Sequence, residues 1–378
     1  YAEQHLKLKT VQSYYYLLER INKAIGRIRL DRIQPHHLLE FYANLHEVHI
    51  RDDYKYTPTP ALIDLIKNHK LTKITIANNA DVSINTIDSC TKGNNVTYNS
   101  AIKICKALNI DLKQYFIADT QKKLSDKTIA NYHKLISSIF TIAKEWQVLQ
   151  YDPCDGIRSP RVEKKEARYL DDIQTEQFLG FLDGAPFKYK VIFTLFLASG
   201  IRRGELCALE DNDIDYKNNI IHIKNEIIYL PHKGLFVDTT KTYSGNRVIK
   251  IDSSVMELVK IYKNERDKSK ILLGDRWTES NYLFTKNFGG PTPPDTLTNW
   301  FYKRFKKSNL FDASVHTLRH TNASLMIFNG VNIRTVANRL GHAKPTTSLN
   351  FYSHAIKTAD EIASKAIPIF KNGQKTTE

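Results

Sequence analysis

The stretch "RLGHAKPTTSLNFYSH", residues 339–354, sets Tyr352 between His342 and His354 in a chain rich in lysine and arginine. A tyrosine is a useful nucleophile toward phosphorus because phenolate is also a tolerable leaving group, so a phosphotyrosyl link can form and be reversed. The phenol needs help. A phosphodiester already carries one negative charge and gains more on the way to its pentacoordinate state, so fixed cationic donors must surround its non-bridging oxygens. Arginine serves best, because its planar fork binds two oxygens and never deprotonates. The departing 5′ oxygen needs a proton from a lysine or a histidine.

Moving outward from Tyr352, the second half of the chain supplies each part. "HTLRH" (316–320) sets His316 and Arg319 three apart, on one helical face. "SGIRRGELCAL" (199–209) gives Arg202 at the start of a helix, with Glu205 one turn later. "TTKTYSGNR" (239–247) puts Lys241 at the tip of an expected β-hairpin, where a flexible ammonium can swing into a site. His316 and His320, four apart, also have the spacing of a zinc pair. Arg319 between them on the same face would repel a dication, and no glutamate sits inside the motif.

The order Arg, Lys, His-x-x-Arg, His, Tyr in these settings resembles the tyrosine recombinases, the integrase family of phages and conjugative transposons. The resemblance is strong over about 169–370 and weaker over 1–50 and 120–150. It implies that Arg202 and Arg319 clamp a scissile phosphate, Lys241 protonates the leaving 5′ oxygen and His316 assists proton transfer from the nucleophile. His342 would hydrogen-bond the phosphate and Tyr352 would attack it. Glu205 would brace the site, and His320 and His354 would support it. Arg202 is preferred to its neighbour Arg203 because the family pattern G-[LI]-R-x-G-E places it there. Such exchange needs no metal and no cofactor, because the energy of the broken bond is held in the covalent intermediate. The implied function is a site-specific recombinase that integrates or excises a mobile element. A catalytically silent DNA-binding regulator is disfavoured because all six positions carry competent residues, and a type IB topoisomerase-like enzyme lacks the two-domain layout.

Composition points the same way. Lys+Arg exceeds Asp+Glu by 55 to 40, a net charge of +15 on 378 residues, which favours a polyanionic partner over an acidic small molecule. With 42% apolar residues the chain can build two or three domains, each with its own core. Cys90, Cys105, Cys154 and Cys207 show no C-x-x-C spacing, against a disulfide framework or a thiolate zinc site and in favour of a reducing, cytoplasmic setting. The longest apolar run, "VIFTLFLA" (191–198), is far short of a bilayer span, and no secretory signal opens the chain.

The expected organisation is multidomain and mainly α. Residues 1–56 and 117–152 read as a split helical core-binding domain. In it, Val11, Tyr14, Tyr15, Leu18 and Ile21 form one stripe that stops at Gly26, Pro35 starts a second helix, and Ser125 caps a third. Residues 57–116 read as an insertion of five short helices, 60–69, 72–80, 83–91, 97–108 and 111–116. Within it "TKITIANNADVSINTIDSCTKG" has the apolar pattern of two helices crossing at a large angle, and the whole resembles the Cro and lambda-repressor helix-turn-helix, with Asp81 where that family often has glycine. Asn85, Thr86, Ser89 and Lys92 are its candidate DNA contacts. Residues 153–168 read as a basic linker, 169–370 as an α+β catalytic domain with one small antiparallel sheet of three strands, and 371–378 as a tail. The resemblance further implies a C-shaped clamp around duplex DNA and a homo-oligomer, a tetramer on paired attachment sites, joined by exchange of the apolar 356–367 segment. An accessory DNA-bending or excision factor is a further implied partner.

Overall fold

The computed structural model describes residues 1–47, 54–118, 123–163, 168–231, 233–239 and 245–342. The chain divides into two compact units, Tyr1–Glu163 and Lys164–Glu378.

The first unit opens with α1 (Ala2–His5), α2 (Leu8–Ile25) and α3 (Pro35–Leu45). Val11, Ile21 and Ile25 are the buried positions of α2. Tyr15 is not one of them: it is 53% exposed and donates its hydroxyl to Glu3, so the stripe is narrower than periodicity suggests. Pro35 stands in the first turn of α3, where its missing N–H costs nothing.

There follow β1 (Lys55–Pro58), α4 (Pro60–Lys67), α5 (Lys73–Asn79), α6 (Ile84–Thr91), β2 (Val96–Thr97), α7 (Tyr98–Leu108), α8 (Leu112–Tyr115) and β3 (Phe116–Ala118). These helices are short, and each begins on a side-chain cap: Thr59, Thr72, Ser83, Thr97 and Asp111 accept from a backbone N–H in the first turn. A cap of this kind contributes about 1 kcal/mol, a large share for a helix of two turns. The turn between α5 and α6 requires φ of +47° at Asp81, the conformation for which glycine is usual. The aspartate is anchored there by Lys103, whose Nζ lies 2.6 Å from its carboxylate. Three antiparallel strands, in the order β2-β1-β3, were not legible in the sequence; β1 and β3 pair at Tyr56 with Ala118 and at Pro58 with Phe116. Leu62, Ile76, Ile87, Ile104 and Phe116 form a core of their own. The helix α9 (Asp126–Glu145), capped by Ser125, instead shares a core with α2 and α3 through Ile129, Leu135, Ile136 and Phe140. Cys154 is buried in that same core and Ile157 packs on it, so the start of the stretch read as linker belongs to the first unit.

The second unit contains α10 (Asp172–Asp183), α11 (Phe187–Ser199), α12 (Arg203–Cys207), β4 (Ile214–Asp215), β5 (Ile220–Ile223), β6 (Asn225–Leu230), β7 (Gly234–Thr239) and β8 (Arg247–Lys250). It continues with α13 (Ser253–Leu273), β9 (Thr285–Lys286), β10 (Gly289–Pro291), α14 (Pro294–Ser308), α15 (Val315–Phe328) and α16 (Ile333–Leu340). The helix α11 is apolar on nearly every side, with Val191, Ile192, Phe193, Leu195 and Phe196 buried, as a helix at the centre of a core must be. The single sheet expected here is instead several: β4-β5-β8, β6-β7 and the pair β9-β10. "NNIIHIKNEIIYL" breaks into β5 and β6 around Lys224, so β7 pairs with β6 while β8 pairs with β5. The flanks of Lys241 are therefore strands of different sheets, and not the two arms of one hairpin.

Gly200 closes α11 at φ +64°, and a Cβ there would sit 2.8 Å from Leu340 Cδ2 and closer still to Asn322 Oδ1. Asn322 cannot yield, since its Nδ2 donates to Leu197 O at 2.9 Å and Ala198 O at 3.1 Å. Gly200→Ala is expected to destabilise the second unit by at least about 2 kcal/mol, combining left-handed strain with a rigid clash. Chemical denaturation would measure it; a change within experimental error would show that this corner is not fixed.

Candidate active site

Gly200 turns the chain out of the core so that Arg202 becomes the N-cap of α12. Glu205 completes a reciprocal cap: the Arg202 backbone N–H donates to its Oε2 at 2.8 Å, and Arg202 Nη1 donates to Oε1 at 2.6 Å. The neighbouring Arg203 turns elsewhere, to Asp295 at 3.0 Å and to the Thr298 hydroxyl. Across from α12, the helix α15 starts on a Ser314 cap and presents His316, Arg319 and His320 one turn apart. The rings of His316 and His320 meet edge to face at 4.8 Å between centroids.

The end of α16 draws these parts together. It stops at Gly341, in the left-handed conformation at φ +67°, leaving its last carbonyls unpaired by the helix and at the negative end of its dipole. Three arginines from three other elements occupy consecutive carbonyls: Arg247 Nε donates to Arg339 O at 2.7 Å, Arg319 Nη2 to Leu340 O at 2.8 Å, and Arg202 Nη2 to Gly341 O at 2.8 Å. Arg319 Nη1 also donates to Gly200 O at 2.6 Å. His342 follows directly on this turn. Arg319 is 2% exposed, whereas the Arg202 side chain keeps 37% of its surface accessible.

Arg202 and Arg247 both bind the buried carboxylate of Glu205. The two arginines beside it hold that carboxyl well below its usual range, at about 2, against the opposing effect of burial. Burial lowers all three histidines, His320 and His342 to about 4; the charge of the arginines adds to it at His316 and His342, and at His320 the neighbouring His316 contributes ahead of Arg319. His316 is the most solvent-exposed of the three residues, and His320 and His342 are half-buried. At neutral pH the site is thus cationic through guanidinium groups, with imidazoles uncharged and able to accept as well as donate.

A pH dependence follows. Because the folded state refuses protons that the unfolded histidines take up below about 6.5, stability is full above that pH and falls as the pH drops toward 4. The expected loss is about 1–3 kcal/mol, allowing for the partial solvent access of His320 and His342. Thermal melts from pH 7 to 4.5 would show it, and His320→Gln should flatten the curve. A melting temperature that rises on acidification would contradict the assignment.

Of the six candidate catalytic residues, Arg202, His316, Arg319 and His342 come together here. Lys241 and Tyr352 lie outside the described residues. Arg247 and Arg339 were not singled out in the sequence, where nothing but the closeness of Arg247 to Lys241 separates them from the many other basic side chains. The candidate DNA contacts belong to the first unit, on α6 and, for Lys92, at its C-cap. Asn85 and Lys92 are exposed; Ser89 is half-buried, and the half-buried Thr86 hydroxyl hydrogen-bonds Ser83 Oγ at 3.0 Å. Asp88 beside them pairs with Lys73 at 2.9 Å, which removes one cation from that face.

The sequence of residues 168–358, just over half of the chain, matches the model of the phage integrase family. The ICEBs1 integrase of Bacillus subtilis (strain 168) is 27% identical over 232 residues, covering 61% of this chain and 62% of that protein. A XerC-like tyrosine recombinase of Caldanaerobacter subterraneus subsp. tengcongensis is 26% identical, covering 70% and 71%. The transposase of transposon Tn916 from Enterococcus faecalis is 24% identical, covering 65% and 62%. The chain thus spans less than two thirds of the first and third of these relatives. Among solved structures, the Tn1549 transposon integrase in complex with a circular intermediate DNA superposes with a TM-score of 0.54 at 18% identity, covering 87% of this chain and 99% of that one. A lambda integrase (75–356) dimer bound to a COC′ core site gives 0.50 at 14% identity, covering 93% and 90%. At these identities the structural likeness is one of fold, and membership rests on the family match: the chain belongs to the phage integrase family.

Proposed function

We propose that the chain is a site-specific DNA recombinase that cuts and rejoins duplex DNA through a 3′-phosphotyrosyl intermediate, moving a mobile element into or out of its host. The observation that carries this reading is the convergence of Arg202 and Arg319 on adjacent carbonyls of one turn, beside His316 and His342. Guanidinium groups held by the protein's own carbonyls are already oriented when a phosphate arrives, which is the preorganisation that charge stabilisation requires. In this reading Tyr352 attacks, Lys241 protonates the leaving oxygen and Glu205 braces Arg202. The relatives' names, integrase, recombinase and transposase, support the same activity.

The domain assignment belongs to this proposal: a split core-binding domain at 1–56 and 117–152, the 57–116 insert, and a catalytic domain from 169. So does the partner set, in which duplex attachment sites are bound by several copies linked through their C-terminal segments. The insert, through Asn85, Thr86, Ser89 and Lys92, adds contacts beside the core site. With Lys73 engaged by Asp88, that contribution carries a small salt dependence.

The test uses a nicked duplex carrying the attachment site read from the junctions of the element in host DNA. Mixing it with the protein in EDTA and without ATP should give a covalent adduct that survives denaturation. Complete absence of adduct on every junction sequence, with binding intact, would leave a DNA-binding regulator as the better reading.

A further inference from the structure

The carboxylate of Glu205, 1% exposed, is shared by two arginines in very different surroundings. Arg202 takes it from the accessible side. Arg247 takes it from within, Nη2 to Oε2 at 2.9 Å and Nη1 to Oε1 at 3.2 Å, with only 7% of its side chain exposed. Sealed in this way, Arg247 cannot touch a bound substrate. It also donates Nε to Arg339 O, fixing the first of the three carbonyls whose successors hold Arg319 and Arg202.

The electrostatic consequence concerns the outward arginine. A buried carboxylate with one cationic partner draws that partner's charge fully to itself, whereas a carboxylate gripped bidentately from the other side leaves the first cation in surplus. We propose that Arg247 is a positioning residue of the reaction: by gripping Glu205 and pinning the Arg339–Gly341 turn, it leaves the charge of Arg202 less compensated by Glu205 and directed toward an incoming phosphodiester. The inference rests on the recombinase reading of the same site. An arginine that merely held β8 to α16 would stabilise the fold without setting the charge that Arg202 offers.

Single-turnover cleavage of the nicked duplex by the full chain separates the two roles. Arg247→Gln should slow cleavage at pH 8 by about 10²-fold, the scale of a lost charge-stabilising donor, while DNA affinity measured by filter binding stays within about threefold. Glu205 in that variant loses its bidentate partner and takes up protons more readily. The ratio of variant to parent rate should therefore rise at least about fivefold between pH 8 and pH 5.5, as protonation frees Arg202. Adding Glu205→Gln removes the competing charge, so Glu205→Gln/Arg247→Gln should recover at least about tenfold over Arg247→Gln at pH 8 and show a flat ratio. If Arg247→Gln does not fold, the double variant set against Glu205→Gln alone carries the same test: the further loss should be less than about threefold. A pH-independent ratio, or a double variant no faster than the single, would overturn the assignment and leave Arg247 a structural ion pair. If the parent forms no adduct, the recombinase reading falls and this inference with it; if the parent cleaves and the ratio is flat, only the role of Arg247 falls.

Discussion

Tyr352→Phe is expected to lower covalent attachment to DNA by at least about 10⁴-fold, the scale on which loss of a nucleophile removes a covalent route. Affinity for the duplex and its salt dependence should not change, because the substitution deletes one hydroxyl and no cation. The pairing of these two results gives the experiment its force, since a misfolded variant would lose both. Gel analysis of denatured reaction mixtures reads the first and filter binding across a salt series reads the second. A phenylalanine variant that still forms adducts would transfer the nucleophile's role to another residue, and the chemistry inferred from the 339–354 stretch would have to be rebuilt around it.

Glu205→Ala is expected to destabilise the second unit by about 3–5 kcal/mol, the cost of removing one partner from a buried ion pair. The size follows from what remains. Arg247, with 7% of its side chain exposed, would be left without its carboxylate, and Arg202 would lose the contact that closes the first turn of α12. Carbonyl acceptors at Arg339 and Gly341 still hold both guanidinium groups, so the site would be distorted in charge more than in connectivity. Glu205→Gln should cost less, because an amide keeps the shape and one acceptor oxygen. Denaturant titration of the three proteins orders them; an alanine variant as stable as its parent would mean that the carboxylate is not buried in solution.

Much of this architecture is legible in the sequence because it depends on local signals. The helices of the second unit follow from apolar periodicity and their ends from glycines such as Gly200 and Gly341. The short helices of residues 60–115 follow from regularly spaced Thr, Ser and Asp caps. The site residues stand out only as an ordered set, Arg, Lys, His-x-x-Arg, His, Tyr, which resembles the tyrosine recombinases; no one of these settings is distinctive alone. What stayed hidden depends on long-range pairing. Two- and three-residue strands such as β2 and β3 are too short to show alternation. The division of residues 220–230 between two sheets depends on partners far along the chain. Arg247 is ordinary in sequence and becomes distinctive only through its distance to Glu205, 42 residues away. Asp81 shows the opposite failure: it looks wrong for its turn until Lys103 is seen to hold it.

The antiparallel pairing of β1 with β3 has a consequence for how such a chain can change over generations. Residues 56 and 118 face each other across one strand spacing, about 5 Å, so everything between them leaves and returns at nearly a single point. A coding segment bounded there can be gained, lost or exchanged without rethreading the helices on either side, because the gap it spans is no wider than a tight turn. With its own apolar centre in Ile76, Ile87 and Ile104, the segment carries its folding instructions with it. Selection can therefore revise this segment and the helices on either side of it on separate schedules, leaving the arginines and histidines of the second unit as they are.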